Sequence, residues 1–228
     1  MLTVLAAAAI ALAAEPPVLG LLALPEVFGY GECDSFTPAE IPLHAAAGSN
    51  RTVGTIRVAR YWTFHEGGGC EGLQVGVYMD GRDEAEELPV REYTYGAPAA
   101  IVTGREGRWF RVRLASGAAW IRPSDSADYH PLEELLEDAL TYFTEEWDGE
   151  LFAAPAGARQ AERDAPLPTG GVRVTGFRRQ GGRLWASVEV LSHSPCDAPD
   201  EPRIIRRGWL PLHSGTGESV IWFFSRGC

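Results

Sequence analysis

Apolar and polar residues alternate with a period of two through much of the chain, which is the signature of half-buried strands. From Gly107 to Ile121 the alternation is clear. Phe110, Val112 and Leu114 fall on one side, and Trp109, Arg111 and Arg113 fall on the other. Ser116 and Gly117 supply a tight turn, and a second short strand carries Trp120. This predicts a hairpin whose tryptophans sit at its two ends. A looser version returns over Gly182 to Val190 and Arg207 to Leu210, bringing Trp185 and Trp209. Ile41 to His44, Thr52 to Thr63, Gly72 to Met79, Leu88 to Tyr95, Ala99 to Thr103, Val172 to Arg179, Leu184 to Leu191 and Val220 to Phe224 are further predicted strands.

One stretch has a different period. Leu132, Leu135, Leu136, Ala139, Leu140, Phe143 and Trp147 recur at helical spacing, with glutamates filling the opposite face. Pro131 suits a first helical position, and early glutamates suit a helix N-terminus. The β-prone run from Thr141 to Thr144 lets this helix stop near Leu140. The division that follows is a signal peptide over 1–14, an apolar lead-in over 15–40 that packs along the first module, a first module over 41–125, an acidic helical connector over 126–148, and a second module over 149–228.

Composition agrees with many short strands. In 228 residues there are 26 glycines and 16 prolines, and 45% of residues are apolar. The net charge of -11 is concentrated in residues 1–148, where 23 carboxylates face 10 arginines. Such a surface repels phosphate backbones and argues against a nucleic-acid partner. All 20 basic residues are arginine. The run from Met1 to Ala14 is almost wholly apolar and ends in small residues before Glu15-Pro16-Pro17, which reads as a signal cut after Ala13 or Ala14. It falls short of the roughly 20 residues that span a bilayer, so no membrane span is expected once it is removed. The expected location is periplasmic or secreted. Cys33, Cys70, Cys196 and Cys228 suit an oxidising compartment as disulfides; they allow three pairings, of which pairing within each half is the simplest.

Gly107, Trp109, Phe110, Val112, Leu114, Gly117, Trp120 and Ile121 together form a pattern that resembles bacterial SH3-type domains. Leu43 to Gly48 and Val53 to Ile56 are similar to the opening strand and turn of that family. The resemblance covers about residues 41–125, with a weaker second copy over about 149–225. It implies a mainly β protein of two small SH3-like β-barrels joined by the short acidic helical connector. It also implies an envelope protein that binds peptidoglycan or proline-bearing peptides. The first copy departs from the pattern by a long insertion over 57–88, and the second by Leu184-Trp185 and a cysteine-bearing insertion before Trp209.

Flat aromatic rings on a small barrel can stack on a sugar face or a proline, and they can equally fill its core. Trp109, Trp120, Trp185 and Trp209, extended by Tyr61 and Trp62, are therefore the candidate ligand-binding residues. Catalytic machinery is not expected. His193-Ser-Pro-Cys196 offers half of a zinc-like spacing with no second pair, so neither a metal nor another cofactor is expected. His213-Ser214 and His193-Ser194 are adjacent pairs, whereas nucleophilic catalysis needs a base aimed from a separate element. The leading expectation is an exported, non-catalytic protein whose partner is a cell-wall component or an envelope peptide or protein. A Cys-His envelope hydrolase and a structural or inhibitory partner of another envelope protein are the alternatives.

Overall fold

Strand-forming sequence dominates the molecule, and the computed structural model describes residues 15–25, 40–60, 74–124, 128–160, 171–197 and 200–227. Ten strands build the larger, curled antiparallel sheet: β1 (Gly20–Ala23), β2 (Ile41–His44), β3 (Thr52–Arg60), β4 (Gln74–Met79), β5 (Glu86–Glu87), β6 (Val90–Thr94), β7 (Ala97–Glu106), β8 (Trp109–Leu114), β9 (Gly117–Ile121) and β10 (Tyr129–Pro131). Their spatial order is β10-β1-β7-β8-β9-β2-β3-β4-β5, with β6 also on β7. The curl is visible in residues 86–94. Glu86 and Glu87 pair with Val77 and Gly76 of β4, and past Pro89 the same segment pairs with β7 through Val90–Ala100 and Arg91–Ala99.

A single turn of helix, α1 (Leu132–Leu136), leads to the second sheet. This sheet holds β11 (Thr141–Phe143), β12 (Gly171–Gln180), β13 (Arg183–Leu191), β14 (Ile204–Pro211) and β15 (Ile221–Phe223) in the order β14-β13-β12-β11-β15. The β12–β13 hairpin turns on Gly181 and Gly182, both left-handed at φ 59° and 74°, as a tight two-residue loop requires.

Two apolar cores result, and β1 and β7 form the wall between them. On one side, Leu22, Ala100 and Val102 face a core with Leu43, Ile56, Val77, Phe110, Val112 and Ile121, inside the curl of the larger sheet. On the other, Leu21, Ala99 and Ile101 join Leu132, Leu136, Val174, Val188, Leu210 and Ile221, a core drawn from both sheets. The period of two explains the division, since neighbouring residues of one strand point to opposite faces. A strand covered on both faces has no polar side, and Leu21 and Leu22 are both fully buried.

Three expectations need correction. The lead-in does not merely pack along the first module: β1 is hydrogen-bonded within the larger sheet, between β10 and β7. The helix ends after five residues rather than continuing to Leu140 or Trp147. Glu137 turns to extended geometry and Asp138 takes a left-handed φ of 54°. Thr141 to Phe143 then run as the strand that joins β12 to β15. Thr141 is buried, with its hydroxyl donating to the Val172 carbonyl, so pairing on both edges outweighs the helical period of the leucines. The second sheet consequently starts inside the expected connector, and Leu132 and Leu136 serve the shared core.

Candidate functional site

The β8–β9 hairpin places its side chains as the alternation requires. Phe110, Val112 and Leu114 are buried, and Trp109, Arg111 and Arg113 on the other side are partly exposed. The loop is Ala115-Ser116, with Leu114 opposite Gly117. Arg111 stands opposite Trp120, and Phe110 opposite Ile121. Both tryptophans therefore lie toward the end away from this loop, so the two ends of the hairpin sequence are one end in space.

On that outer face β2 adds a residue that no local motif announces. His44 is the Cα partner of Trp120, and its ring meets Trp109 edge to face with centroids 4.9 Å apart. Edge-to-face contact suits the positive rim and negative face of aromatic rings. The imidazole Nδ1 is sealed from solvent and has no hydrogen-bond partner among the described residues. Gly104 of β7 lies beneath. A Cβ there would come within 3.0 Å of the Arg111 Cβ and 3.7 Å of the Trp120 ring, so its hydrogen leaves room for both. Arg111 donates to the Thr103 hydroxyl at 3.4 Å, which orders the guanidinium beside the rings. The arrangement offers partly exposed indole surface with a positive charge next to it, suited to stacking and to donating hydrogen bonds to carbonyl oxygens.

The other candidates are placed differently. Trp185 is 4% exposed, edge-on to Phe152 at 5.2 Å, with its indole N–H donating to the Gln180 carbonyl. It has no open ring face to present. Trp209 is partly exposed on β14, where its backbone N–H and C=O bond both ways with Phe152. These two belong to the second sheet, apart from the His44 cluster. Tyr61, Trp62, Cys33, Cys70 and Cys228 lie outside the described residues. Cys196 is not a free thiol. His193 is held locally, its Nδ1 3.0 Å from the Ser192 hydroxyl and its Nε2 3.2 Å from the Asp200 carbonyl. Among the described residues no three of His, Cys, Asp and Glu converge as metal ligands.

The sequence gives no hint of a cleft of about 450 Å³ between the two sheets. Segment 15–19 crosses it and is tied on both sides. Val18 N–H donates to Gly217 at 3.0 Å, and Leu19 N–H to Val102 at 2.8 Å. Their carbonyls accept from side chains: Val18 from His213 Nε2 at 2.7 Å, and Leu19 from the Tyr129 hydroxyl at 2.8 Å. Burial, reinforced by Glu133, pushes the Tyr129 phenol up to about 12, so it stays a donor. Burial also lowers the His213 pKa from its ordinary 6.5, against the opposing pull of the Val18 carbonyl. Glu133 pairs with Arg179 at 2.8 Å on the cleft wall.

No protein-family model, curated protein or solved structure matches the chain. The class that the fold itself defines is a mainly β protein of two curled antiparallel sheets, with an aromatic outer face and a charged cleft at the seam. Among the described residues no helix is long and apolar enough to cross a membrane.

Proposed function

We propose that the chain is an exported, non-catalytic binding protein that recognises a cell-wall component or an envelope peptide. The proposed contact surface is the outer face of the β8–β9 hairpin. One observation carries this reading: Trp109 and Trp120, drawn from two strands, come together beside His44 and Arg111 with part of their surface open. Small domains use tryptophan first to fill their cores, so indoles left outside a core that is closed without them call for another purpose. The larger curled sheet also suits a small SH3-like barrel, as the resemblance of residues 41–125 implies, and the second sheet is proposed as its divergent counterpart. Disulfides within each half complete the proposal.

The test is sedimentation of purified protein with isolated peptidoglycan sacculi. Wild type should co-sediment. Combined Trp109→Ala and Trp120→Ala substitution should weaken binding by about tenfold or more, the scale expected for losing stacked aromatic contacts, while the far-ultraviolet circular dichroism is unchanged. Absence of wild-type binding to sacculi, together with failure to retain any peptide from envelope extract, would remove the reading.

A further inference from the structure

The cleft at the seam has the size of a small-ligand site, and its lining carries three arginines against two carboxylates in a chain that is acidic overall. The chain carries a net charge of -11, yet both carboxylates on this wall are engaged: Glu15 by Arg113 at 3.6 Å, and Glu133 by Arg179 at 2.8 Å. Arg105 and Arg183 also line the cleft and have no carboxylate partner among the described residues. The Arg105 guanidinium lies over the Tyr129 ring at 5.2 Å, and its Nε donates to the Gly107 carbonyl at 3.3 Å. That contact uses one donor of five and leaves the forked terminal nitrogens for an anion. A planar fork is matched to a carboxylate.

His213 adds the complementary group. Its Nε2 donates to the Val18 carbonyl, so in the neutral ring Nδ1 is a lone-pair acceptor. Nδ1 has no partner among the described residues, and the residue lines the cleft. Burial keeps the ring neutral near pH 7. Pro17, Leu184 and Pro211 supply apolar wall. Two cationic forks, one acceptor and a proline-lined surface describe a ligand with a carboxylate, an N–H and an apolar side chain.

We propose that the cleft binds the free C-terminal end of a short peptide, with Arg105 and Arg183 holding the carboxylate and His213 Nδ1 accepting a backbone N–H. The site is separate from the outer face of the hairpin and does not depend on what that face binds. The test is calorimetric titration of the full chain with a panel of N-acetyl tripeptide acids ending in alanine, leucine, phenylalanine or arginine, beside their C-terminal amides, sodium acetate and inorganic phosphate. At least one acid should saturate below about 1 mM, with its amide weaker by about tenfold or more. Arg183→Gln, at an exposed turn, should weaken the acid by a similar factor without moving the thermal transition, and His213→Gln should weaken it with less effect on acetate. The Trp109→Ala, Trp120→Ala double variant should bind the acid as wild type does. Equal binding of acid and amide, no effect of Arg183→Gln, acetate or phosphate binding as tightly as the peptides, or no saturation by any acid would each overturn the proposal.

Discussion

At the scale of single residues, most of what matters is set by where a polar atom finds its partner. His213 is the clearest case, since it fastens segment 15–19 to the second sheet through the Val18 carbonyl. Its folded pKa lies below the unfolded 6.5, so the unfolded chain binds the proton more readily. Stability from this group is present above pH 6.5 and falls away as pH drops through 6.5 toward the lower folded value. The charged groups felt by the ring are Glu133, Glu218 and Arg179; the carboxylates oppose the burial effect and Arg179 adds to it. We therefore expect the melting temperature to fall between pH 7.5 and 5.5, and His213→Gln to flatten that part of the profile. An unchanged slope in the variant would assign the loss to other groups. Glu92 acts in a lower window. Its hydrogen bond with Arg226 holds its pKa below 4.5, so its contribution persists until the pH falls beneath that value.

At the scale of elements, alternation made the β8–β9 hairpin legible, and every inward residue read from Phe110 to Leu114 is buried. Strands over 41–44, 52–60 and 183–191 were equally legible, because each is long or bracketed by turn residues. One element was hidden and another only half legible, each for a physical reason. β1 is four residues with both faces apolar, so it carries no period and reads as lead-in. β11 is three residues inside a run whose leucines repeat at helical spacing, and only pairing to β12 and β15, distant in sequence, decides its state. The candidate site was half visible. Trp109 and Arg111 share a face by alternation alone, but His44 arrives through the β2–β9 pairing, which no local pattern reports. The cleft was invisible because its wall combines residues from both ends of the chain. The wall strand also yields a stability expectation. Leu21→Ala should cost about 2–5 kcal/mol, the range for truncating a fully buried leucine, measured by urea denaturation. A loss well under 1 kcal/mol would show that β1 is peripheral.

At the scale of the whole molecule, the shared core decides how the two sheets behave. Leu21 and Ile101 of the larger sheet sit in one apolar cluster with Val188 and Leu210 of the second, and α1 contributes Leu132 and Leu136 between them. Arg113 reinforces the seam by pairing with Glu15 and Glu218. Independent modules on a flexible connector would melt separately. A common core predicts instead one cooperative transition, with equal calorimetric and van 't Hoff enthalpies. A fragment ending near Pro131 would expose the apolar face of β1 and β7, so it should aggregate or remain unfolded by circular dichroism. Two resolved transitions would refute the common core.

A strand greasy on both flanks has a weakness: hydropathy objects little if it slides by one position, because both compartments still receive an apolar residue, Leu22 in place of Leu21 and Ala23 in place of Leu22. What stops the slide is steric. Gly20 faces the β10 backbone so closely that a Cβ would lie 2.2 Å from the His130 carbonyl oxygen, and only a residue without a side chain fits there. The absence of one methyl group thus works as an index mark for the molecule, telling the partition which leucine belongs to which chamber.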